Sequence, residues 1–440
     1  MPLPVTLAPW FKTALLQYLL TCLYMKAFSR YKRLAIAICI IVCSGVFLTQ
    51  CINRQDKTEA QEKKVNFQLF AGSASCQSCH KNIYDTHIHT AHYNTSQPAA
   101  TATPKGSFEP GKNSFVYSPR TVVNMEKRDS GFFQVAYTDG IEKVAHRFDI
   151  IVGSGAKGQT SVYWHNDQLY QLPVTYFTAA AQWSNSPGFP MKATFNRPIT
   201  SRCLECHTTY VNTISAPGKE PESFDAASFV YGVDCEKCHG PAAAHVAWQK
   251  ANPAKTTAKY IINPRLLSRQ LQLDACALCH GGKLQKTKPS FEFIAGDTLS
   301  NYFSFDTTAP NPDNIDLHGN QYGLLRASKC FRMSETLTCN TCHSPHENER
   351  GKLAVFSTRC ASCHTTNEHG NGKLCKMNAT PGTAISANCI DCHMPAKPSR
   401  AIAVYLPGAS APTAAYIRSH FISIYPEETK KFMEKAGSDH

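Results

Sequence analysis

One cysteine pattern dominates this 440-residue chain, because 14 of its 20 cysteines belong to seven copies of Cys-x-x-Cys-His. Two thiols at this spacing can reach the two vinyl groups on one side of a porphyrin, and the next imidazole meets the iron from that side. A redox dithiol needs no histidine, and zinc sites pair Cys-x-x-Cys units without an obligatory one. The pattern therefore predicts seven covalently bound haem c groups. The predicted attachment cysteines and proximal histidines are Cys76, Cys79 and His80; Cys203, Cys206 and His207; Cys235, Cys238 and His239; Cys276, Cys279 and His280; Cys339, Cys342 and His343; Cys360, Cys363 and His364; and Cys389, Cys392 and His393.

The motifs are unevenly spaced along the chain. The first occupies residues 76–80, whereas the other six lie within residues 203–393. Because so high a density leaves little room for a side-chain core, we expect the haems to form that core, with short helices and loops around them. The sequence thus predicts a mainly α and irregular, haem-packed multihaem cytochrome c fold with a small antiparallel β insertion.

The insertion is predicted from the stretch between the first two motifs. Residues 114–174 are rich in Val, Ile, Phe and Tyr in an alternating pattern, and the turn signals Thr138-Asp139-Gly140 and His165-Asn166-Asp167 interrupt them. This pattern indicates an antiparallel meander of four to six strands. The glycine-rich residues 153–158 are not followed by Gly-Lys-Ser/Thr, which favours a loop over a phosphate-binding site.

These patterns divide the chain into six parts. We predict a signal or anchor segment over residues 1–50, a polar tether over 51–70, a first haem segment over 71–112, a β-rich insertion over 113–190, a six-haem domain over 191–395 and a C-terminal strap over 396–440. Within the strap, Pro426 and the acidic residues that follow it predict a short terminal helix.

The N-terminal segment has the pattern of an export signal. Four cations within residues 26–33 precede the uncharged run 34–49, which is shorter than the roughly 20 residues of a spanning helix. Cys51 stands where a lipoprotein signal ends, so lipid anchoring there is the leading prediction. A retained apolar anchor and a cleaved, soluble product are the alternatives, and Met25 is an alternative start. The predicted location is periplasmic or on the outer surface, attached to the membrane.

The net charge of +13 does not indicate nucleic-acid binding. Residues 1–50 hold five Lys and Arg and no acid, which leaves 40 basic against 32 acidic residues in the rest of the chain. Seven haems bring two propionates each. The remaining positive charge is therefore expected to compensate propionates.

The second axial ligand of each iron decides whether a haem carries electrons or binds substrate. Eleven histidines remain beyond the seven proximal ones. The predicted distal ligands are His92, His245, His318, His346 and His420, with His146 and His369 as weaker candidates. His87 and His89 are predicted to pack against haem, and His165 and His440 to be exposed. At least six of the seven haems are expected to have two imidazole ligands. If one haem is open, we expect it to be that of Cys276, because no histidine follows His280 closely before His318.

Two cysteines of the haem region lie outside the motifs. Because an exported protein meets an oxidising compartment, we predict a disulfide between Cys330 and Cys375, with buried free thiols as the alternative.

Several segments resemble the cytochrome c-554 and c-552-like group. CQSCHKNIYDTHIHTAHYNTSQP, at residues 76–98, resembles the first-haem segment of that group, with a histidine 12 residues after the proximal one. His87 stands where the group usually has Trp. CEKCHGPAAAH, at 235–245, resembles its Cys-His-Gly-Pro-Gly motif, with Ala242 in place of Gly. LHGNQYGLLRASKC, TCNTCHSPH and NCIDCHMP resemble longer exported relatives. The resemblance implies a haem-packed fold, His/His ligation and periplasmic electron transfer.

The sequence thus predicts an exported heptahaem cytochrome that passes electrons between a membrane donor and a periplasmic or surface acceptor. Its expected partners are redox proteins and the membrane. One alternative is a multihaem oxidoreductase that acts on a small nitrogen or sulfur compound at an open haem. A second alternative is a structural haem subunit of a surface electron-transfer complex.

Overall fold

The computed structural model describes residues 65–102, 104–216, 218–305, 319–364, 375 and 387–438. The signal or anchor segment and most of the polar tether, with Cys51 and Met25, lie outside the described residues, as do His318, His369 and His440.

Two antiparallel sheets occupy residues 96–198, with strands numbered in chain order. A four-stranded meander comprises β2 (Ser114–Ser118), β3 (Thr121–Arg128), β4 (Gly131–Thr138) and β5 (Ile141–Arg147). A seven-stranded sheet comprises β1 (Ser96–Pro98), β6 (Ile150–Val152), β7 (Gly158–His165), β8 (Gln168–Gln171), β9 (Val174–Phe177), β10 (Gln182–Asn185) and β11 (Arg197–Pro198). Its order is β1-β6-β7-β8-β11, and β9 pairs with both β7 and β10.

The first half of the stretch 114–174 forms a meander, but the second half belongs to the seven-stranded sheet, so the stretch holds more strands than the four to six predicted. Thr121 of β3 faces Thr138 of β4, and Asp139 and Gly140 take positive φ angles of 51° and 77° in the next turn. Such angles suit the short side chains of Asp and Gly. Residues of both sheets share one core, formed by Ala99, Phe115, Val123, Met125, Ala136, Phe148, Ile151, Tyr163, Leu172, Val174 and Trp183. On the other face of the seven-stranded sheet, Ile150, Val162 and Leu169 belong to a second core with residues of the motif region.

Short helices carry the cysteine motifs. The α-helices are α1 (Ala74–His87), α2 (Ser201–His207), α3 (Cys235–His239), α4 (Ala243–Ala251), α5 (Arg269–His280), α6 (Gln321–Ala327), α7 (Lys329–Met333), α8 (Cys339–Cys342), α9 (Leu353–His364), α10 (Cys389–His393) and α11 (Pro426–Ser438). Five of the motif helices end on the proximal histidine, α8 ends one residue before it, and α1 is kinked at His80. Single 3₁₀ turns lie at Phe67–Leu69, Tyr93–Thr95, Thr178–Ala180, Pro264–Leu266 and Leu299–Asn301.

The prediction of a mainly α and irregular fold is wrong. Strands cover nearly as many of the described residues as α-helices do, and hairpins also occur outside the insertion: β12 (Thr208–Thr213) with β13 (Phe224–Tyr231), β14 (Leu284–Lys286) with β15 (Phe303–Phe305), and β16 (Ala396–Val404) with β17 (Thr413–Arg418). Helices as short as the motif helices satisfy few of their own backbone groups. The chain between them therefore satisfies its hydrogen bonds by returning as antiparallel hairpins.

The C-terminal strap is a hairpin that ends in the expected helix. β16 and β17 pair with each other, and α11 follows at Pro426–Ser438. Val404 and Ala415 pack on Phe177, and the backbone N–H of Asn185 donates to the Tyr405 carbonyl (3.3 Å). The strap thus fastens the end of the chain to the β insertion.

Candidate haem-binding cavity

The first five motifs line one large cavity of about 4040 Å³, several times the roughly 300–1,000 Å³ of an ordinary ligand pocket. Cys360 of the sixth motif and Ile390 of the seventh also line it. Twelve Lys and Arg side chains but only four carboxylates are among its lining residues. A cavity of this size, with more basic than acidic side chains in its lining, suits several porphyrins. The basic side chains would compensate the negative charge of the propionates.

Three of the proximal imidazoles are oriented through Nδ1. His239 Nδ1 lies 2.8 Å from the Ile262 carbonyl, and His393 Nδ1 lies 2.8 Å from the Ser423 carbonyl. His280 Nδ1 is 3.1 Å from the side-chain oxygen of Gln321. An imidazole that donates from Nδ1 keeps the lone pair of Nε2 free for a metal. These residues therefore fit the proximal role that the motifs predict.

Three predicted distal histidines lie opposite proximal ones. Two Fe–N bonds of about 2 Å, plus about 1 Å from each nitrogen to its ring centre, separate the ring centres of a His–Fe–His unit by about 6 Å. The ring centres are 6.1 Å apart for His239 and His346, 6.2 Å for His280 and His92, and 6.1 Å for His343 and His420. Each of these pairs fits one iron.

Burial keeps these rings neutral, which is the form that binds iron. Desolvation lowers the pKa of His92 to about 4, and the neighbouring His280 adds to the effect. It also lowers the pKa of His420 to about 4, with a smaller contribution from His343. The pKa values of His239, His343 and His346 are lowered mainly by the same cause.

Local contacts explain why His92 reaches the fourth motif. The backbone N–H of Val233 donates to the His92 carbonyl (2.9 Å), and that of Gly232 donates to Ser96 Oγ (2.9 Å). The segment after α1 thus lies against the chain that leads into α3. The haem of Cys276, the expected position if one haem is open, consequently has His92 opposite His280, which favours a second ligand there.

The other histidine candidates differ in position. His245 lines the cavity, and its Nδ1 lies 2.8 Å from the Lys259 carbonyl. Its ligand role stays a prediction. His146 lies on β5, stacked on Tyr163 with ring centres 3.9 Å apart, so it belongs to the β insertion. His165 is exposed at the end of β7. His87, which sequence reasoning assigned to packing, is buried and lines the cavity.

Cysteines of different motifs contact one another. The thiols of four pairs lie close enough to shift each other's pKa, which is lowered in one thiol and raised in its partner. The pairs are Cys76 with Cys235, Cys206 with Cys279, Cys276 with Cys339, and Cys360 with Cys389. These contacts bring the first motif to the third, the second to the fourth, the fourth to the fifth and the sixth to the seventh.

Further contacts hold the motifs in this arrangement. The buried carboxylate of Glu236 accepts from the backbone N–H groups of Ala71 and Gly72, at 2.8 Å each, which fastens the start of the first segment to the third motif. Arg202 of the second motif helix donates to the Leu278 carbonyl (2.9 Å) of the fourth. Arg359 of the sixth motif helix donates to the Cys342 carbonyl (2.7 Å) of the fifth. The motifs are therefore joined through protein contacts as well as through the cavity.

The predicted disulfide is wrong. Both Cys330 and Cys375 are free thiols in the structure. Cys330 lies near Cys363 and Cys342, whereas Cys375 lies near Cys392. The two thiols belong to the surroundings of different motifs, which spacing along the chain does not reveal.

Within the described residues, no helix combines the length and the apolar character that crossing a membrane requires. The apolar run 34–49 lies outside that part of the chain.

Comparison with known proteins agrees with the motif chemistry. The family model of cytochrome c554 and c-prime matches residues 170–240, which contain the second and third motifs. No curated protein matches the chain. Among solved structures, the outer cell wall cytochrome OcwA is similar to it, with 15% identity and a TM-score of 0.49 over 83% of this chain and 82% of that one. The chain is similar to the family of cytochrome c554 and c-prime over residues 170–240, and its Cys-x-x-Cys-His motifs have the residues that attachment of haem c requires.

Proposed function

We propose that this chain is an exported heptahaem cytochrome that passes electrons between a membrane donor and a periplasmic or surface acceptor. The cross-motif cysteine contacts are the observation that carries the proposal. Because each thiol becomes a thioether on its own porphyrin, two thiols in contact place two porphyrin edges next to each other. Adjacent edges are what electron transfer between haems requires, and the protein's part is to hold that spacing and to supply the ligands.

The contacts define an order of haems. The first motif meets the third, and Cys238 of the third is close enough to Cys276 of the fourth to raise its pKa. The fourth then meets the fifth through Cys339, the fifth meets the sixth through Arg359, and the sixth meets the seventh through Cys389. The second motif joins at the fourth through Cys206. The proposed path therefore runs 1-3-4-5-6-7, with the second haem as a side branch at the fourth.

Three of the proposed haems, two on the path and one on the side branch, have an attachment cysteine that is exposed to solvent. Cys79 of the first motif, Cys203 of the second and Cys363 of the sixth are exposed, whereas both cysteines of the fourth are partly buried. Electrons would thus enter and leave near the first, second and sixth haems, and the fourth would serve as an internal junction.

Export is proposed from the attachment chemistry and the N-terminal pattern. In bacteria, haem c is attached on the outer side of the membrane, and residues 26–49 have the pattern of a secretion signal. Lipid anchoring at Cys51 is the proposed attachment. Intact mass after release of the lipid by lipase would identify the modified residue.

The haem count is tested by mass and by absorbance. The mature protein should exceed its polypeptide mass by seven haems, and a pyridine haemochrome assay should give the same number. Four or fewer haems per chain would contradict the proposal.

The proposed role of the fourth haem as a junction is tested by removing single haems. Replacing Cys276 and Cys279 with Ala removes the fourth haem, whereas replacing Cys203 and Cys206 with Ala removes the second. Both variants should retain six haems by mass. On an electrode, fast voltammetry should detect six connected haems in the second-haem variant and fewer in the fourth-haem variant. Six connected haems in both variants would contradict the proposed order.

A further inference from the structure

The loop between α4 and α5, residues 252–268, presents two large apolar side chains to solvent. Tyr260 is 64% exposed and Leu266 is 82% exposed, and neither lines the cavity. Their neighbours Ile262 and Leu267 point inward, and both lie beside Gly296. Because Tyr260 and Leu266 stand outside the cavity lining, porphyrins bound in the cavity leave them exposed.

The surface around these two side chains is basic. Residues 237–273 contain six Lys and Arg and no Asp or Glu. Lys259 directly precedes Tyr260 in the chain. Arg265 directly precedes Leu266, and both cations are exposed. Arg265 also lines the cavity, so the basic surface reaches its rim. Exposed apolar side chains beside such charges are typical of a protein-binding surface, and the sign of the charge favours an acidic partner.

The backbone of this loop is bonded to two imidazoles. The Lys259 carbonyl lies 2.8 Å from Nδ1 of His245, and the Ile262 carbonyl lies 2.8 Å from Nδ1 of the proximal His239. The Ile262 N–H also donates to the His239 carbonyl (3.0 Å). Between these contacts Tyr260 has a positive φ of 57°, which is uncommon for a bulky residue and persists where surrounding contacts impose it. The loop therefore holds an exposed aromatic ring two residues from a hydrogen bond to the predicted ligand of the third iron.

We propose that residues 252–268 form the docking surface for an acidic one-electron carrier protein, which exchanges electrons with the third haem. This inference rests on the proposed electron-transfer function and adds one entry point to the three near exposed cysteines. In the step, one electron passes from the reduced carrier to the ferric iron. The carrier is oxidised, the iron becomes ferrous, and no bond is made or broken. The backbone from Tyr260 to Ile262 and its hydrogen bond to His239 connect the docked carrier to the iron.

The test measures, by stopped flow, how fast the oxidised holoprotein accepts electrons from flavodoxin hydroquinone. This probe is an acidic carrier whose anionic flavin loses one electron to give the neutral semiquinone. Lys259→Glu should lower the second-order rate constant at low ionic strength, and the difference should vanish as salt is added, because salt screens the charges. Tyr260→Ala/Leu266→Ala should lower the rate constant about tenfold at every ionic strength, because apolar anchors carry much of the affinity of an interface.

Two controls separate docking from damage to the haems. Lys127→Glu and Lys143→Glu change exposed cations of the β insertion and should leave the rate constant unchanged. Photoreduced deazariboflavin, a small neutral reductant, needs no docking surface and should reduce all these proteins equally fast. Intact mass should show the same haem content in each.

Three outcomes would overturn the proposal. The first is a wild-type rate with flavodoxin in both loop variants. The second is an equal slowing with deazariboflavin, because the haem rather than the surface would then have changed. The third is binding to phosphatidylglycerol vesicles that is lost in Tyr260→Ala/Leu266→Ala, which would assign the surface to a membrane. Haem count and voltammetry test the electron-transfer function separately, so its failure is distinguishable from failure of the docking surface.

Discussion

The β insertion and the motif region differ in what fills their interior. In the insertion, Phe115, Val123, Met125 and Leu172 are fully buried against one another between the two sheets. The motif region has buried clusters too, such as that of Leu273, Leu278 and Phe303, but its helices also surround a cavity of about 4040 Å³. One region is thus stabilised by its own side chains alone, whereas the other also needs its cofactors to fill its interior.

Two exposed apolar residues lie against the cavity of the motif region. Ile83 is 47% exposed and Tyr416 is 59% exposed, although both line the cavity. Burying apolar surface is the main favourable term in folding, at roughly 25 cal/mol per Å². Porphyrins would cover these residues, so haem binding supplies the burial that the polypeptide of this region lacks.

The largest effect is expected on haem removal. In a chain with all 14 motif cysteines replaced by Ser, the motif region should lose its tertiary structure, because the apolar side chains that line the cavity then have no partner. The amides of β3 and β4 should keep their protection from hydrogen exchange. Uniform loss of protection across both regions would contradict the comparison, as would uniform retention.

Truncating a buried side chain of the insertion core should lower the free energy of unfolding strongly but leave the haem sites unchanged. Phe115→Ala removes a fully buried ring, which typically costs about 3–5 kcal/mol in the free energy of unfolding. The neighbouring Val116 is 53% exposed on the same strand, so Val116→Ala should change the free energy by less than about 0.5 kcal/mol. Denaturant unfolding measures both values. Haem spectra should be unchanged in both variants, and altered ligation in Phe115→Ala would show that the two regions are not independent.

An ion pair in the motif region should give a smaller, pH-dependent effect. Arg359 holds the pKa of Glu349 below its usual value of 4.5, and Glu349 also accepts from the Ser344 N–H. A lowered carboxyl pKa contributes stability that is complete above pH 4.5 and is lost as the pH falls through the lowered value. Glu349→Gln should therefore cost about 1.5–3 kcal/mol at neutral pH.

The two proteins should converge in stability at acid pH, as measured by denaturant unfolding from pH 7 downward. A difference that stays constant over this range would show that the charge of Glu349 is not the cause.

The smallest effect is expected at an exposed ion pair of the meander. Arg120 donates to Asp139, and the two side chains are 74% and 48% exposed. Water and salt screen such a pair, so Arg120→Ala should leave the unfolding midpoint unchanged within error. A clear shift of the midpoint, abolished by high salt, would mean that surface charge matters more in the insertion than its exposure indicates.

The sequence predicts well what depends on local chemistry. Attachment needs two thiols and an imidazole within five residues, so the seven candidate sites can be read directly. His92 and His346 were proposed as ligands because each lies near a motif, and His420 because it lies in the C-terminal strap; the structure places all three within reach of a proximal histidine. The partner of His92 was not predicted, because its position opposite His280 arises from the contact of the first segment with Val233, far away in the chain.

What the sequence does not predict depends on tertiary contacts. The hairpin of β12 and β13 contains register shifts, and its strands lack the regular alternation that revealed the meander. No feature of the sequence around Cys330 and Cys375 distinguishes a disulfide from two free thiols. His87 was assigned to packing because it stands only seven residues from His80. Only the folded structure shows that its Nε2 is buried without a hydrogen-bond partner among the described residues and that Pro345 lies beside its Nδ1.

The thiol contacts between motifs also constrain how the protein is made. A vinyl group must approach each sulfur before a thioether can form, but in the folded chain Cys206 already contacts Cys279, and Cys76 contacts Cys235. Partners so distant in sequence meet only when the chain folds. Haem must therefore be attached while the newly made chain is still open, one motif after another. A chain that folded first in an oxidising compartment would convert these contacts into disulfides and exclude the cofactor for good.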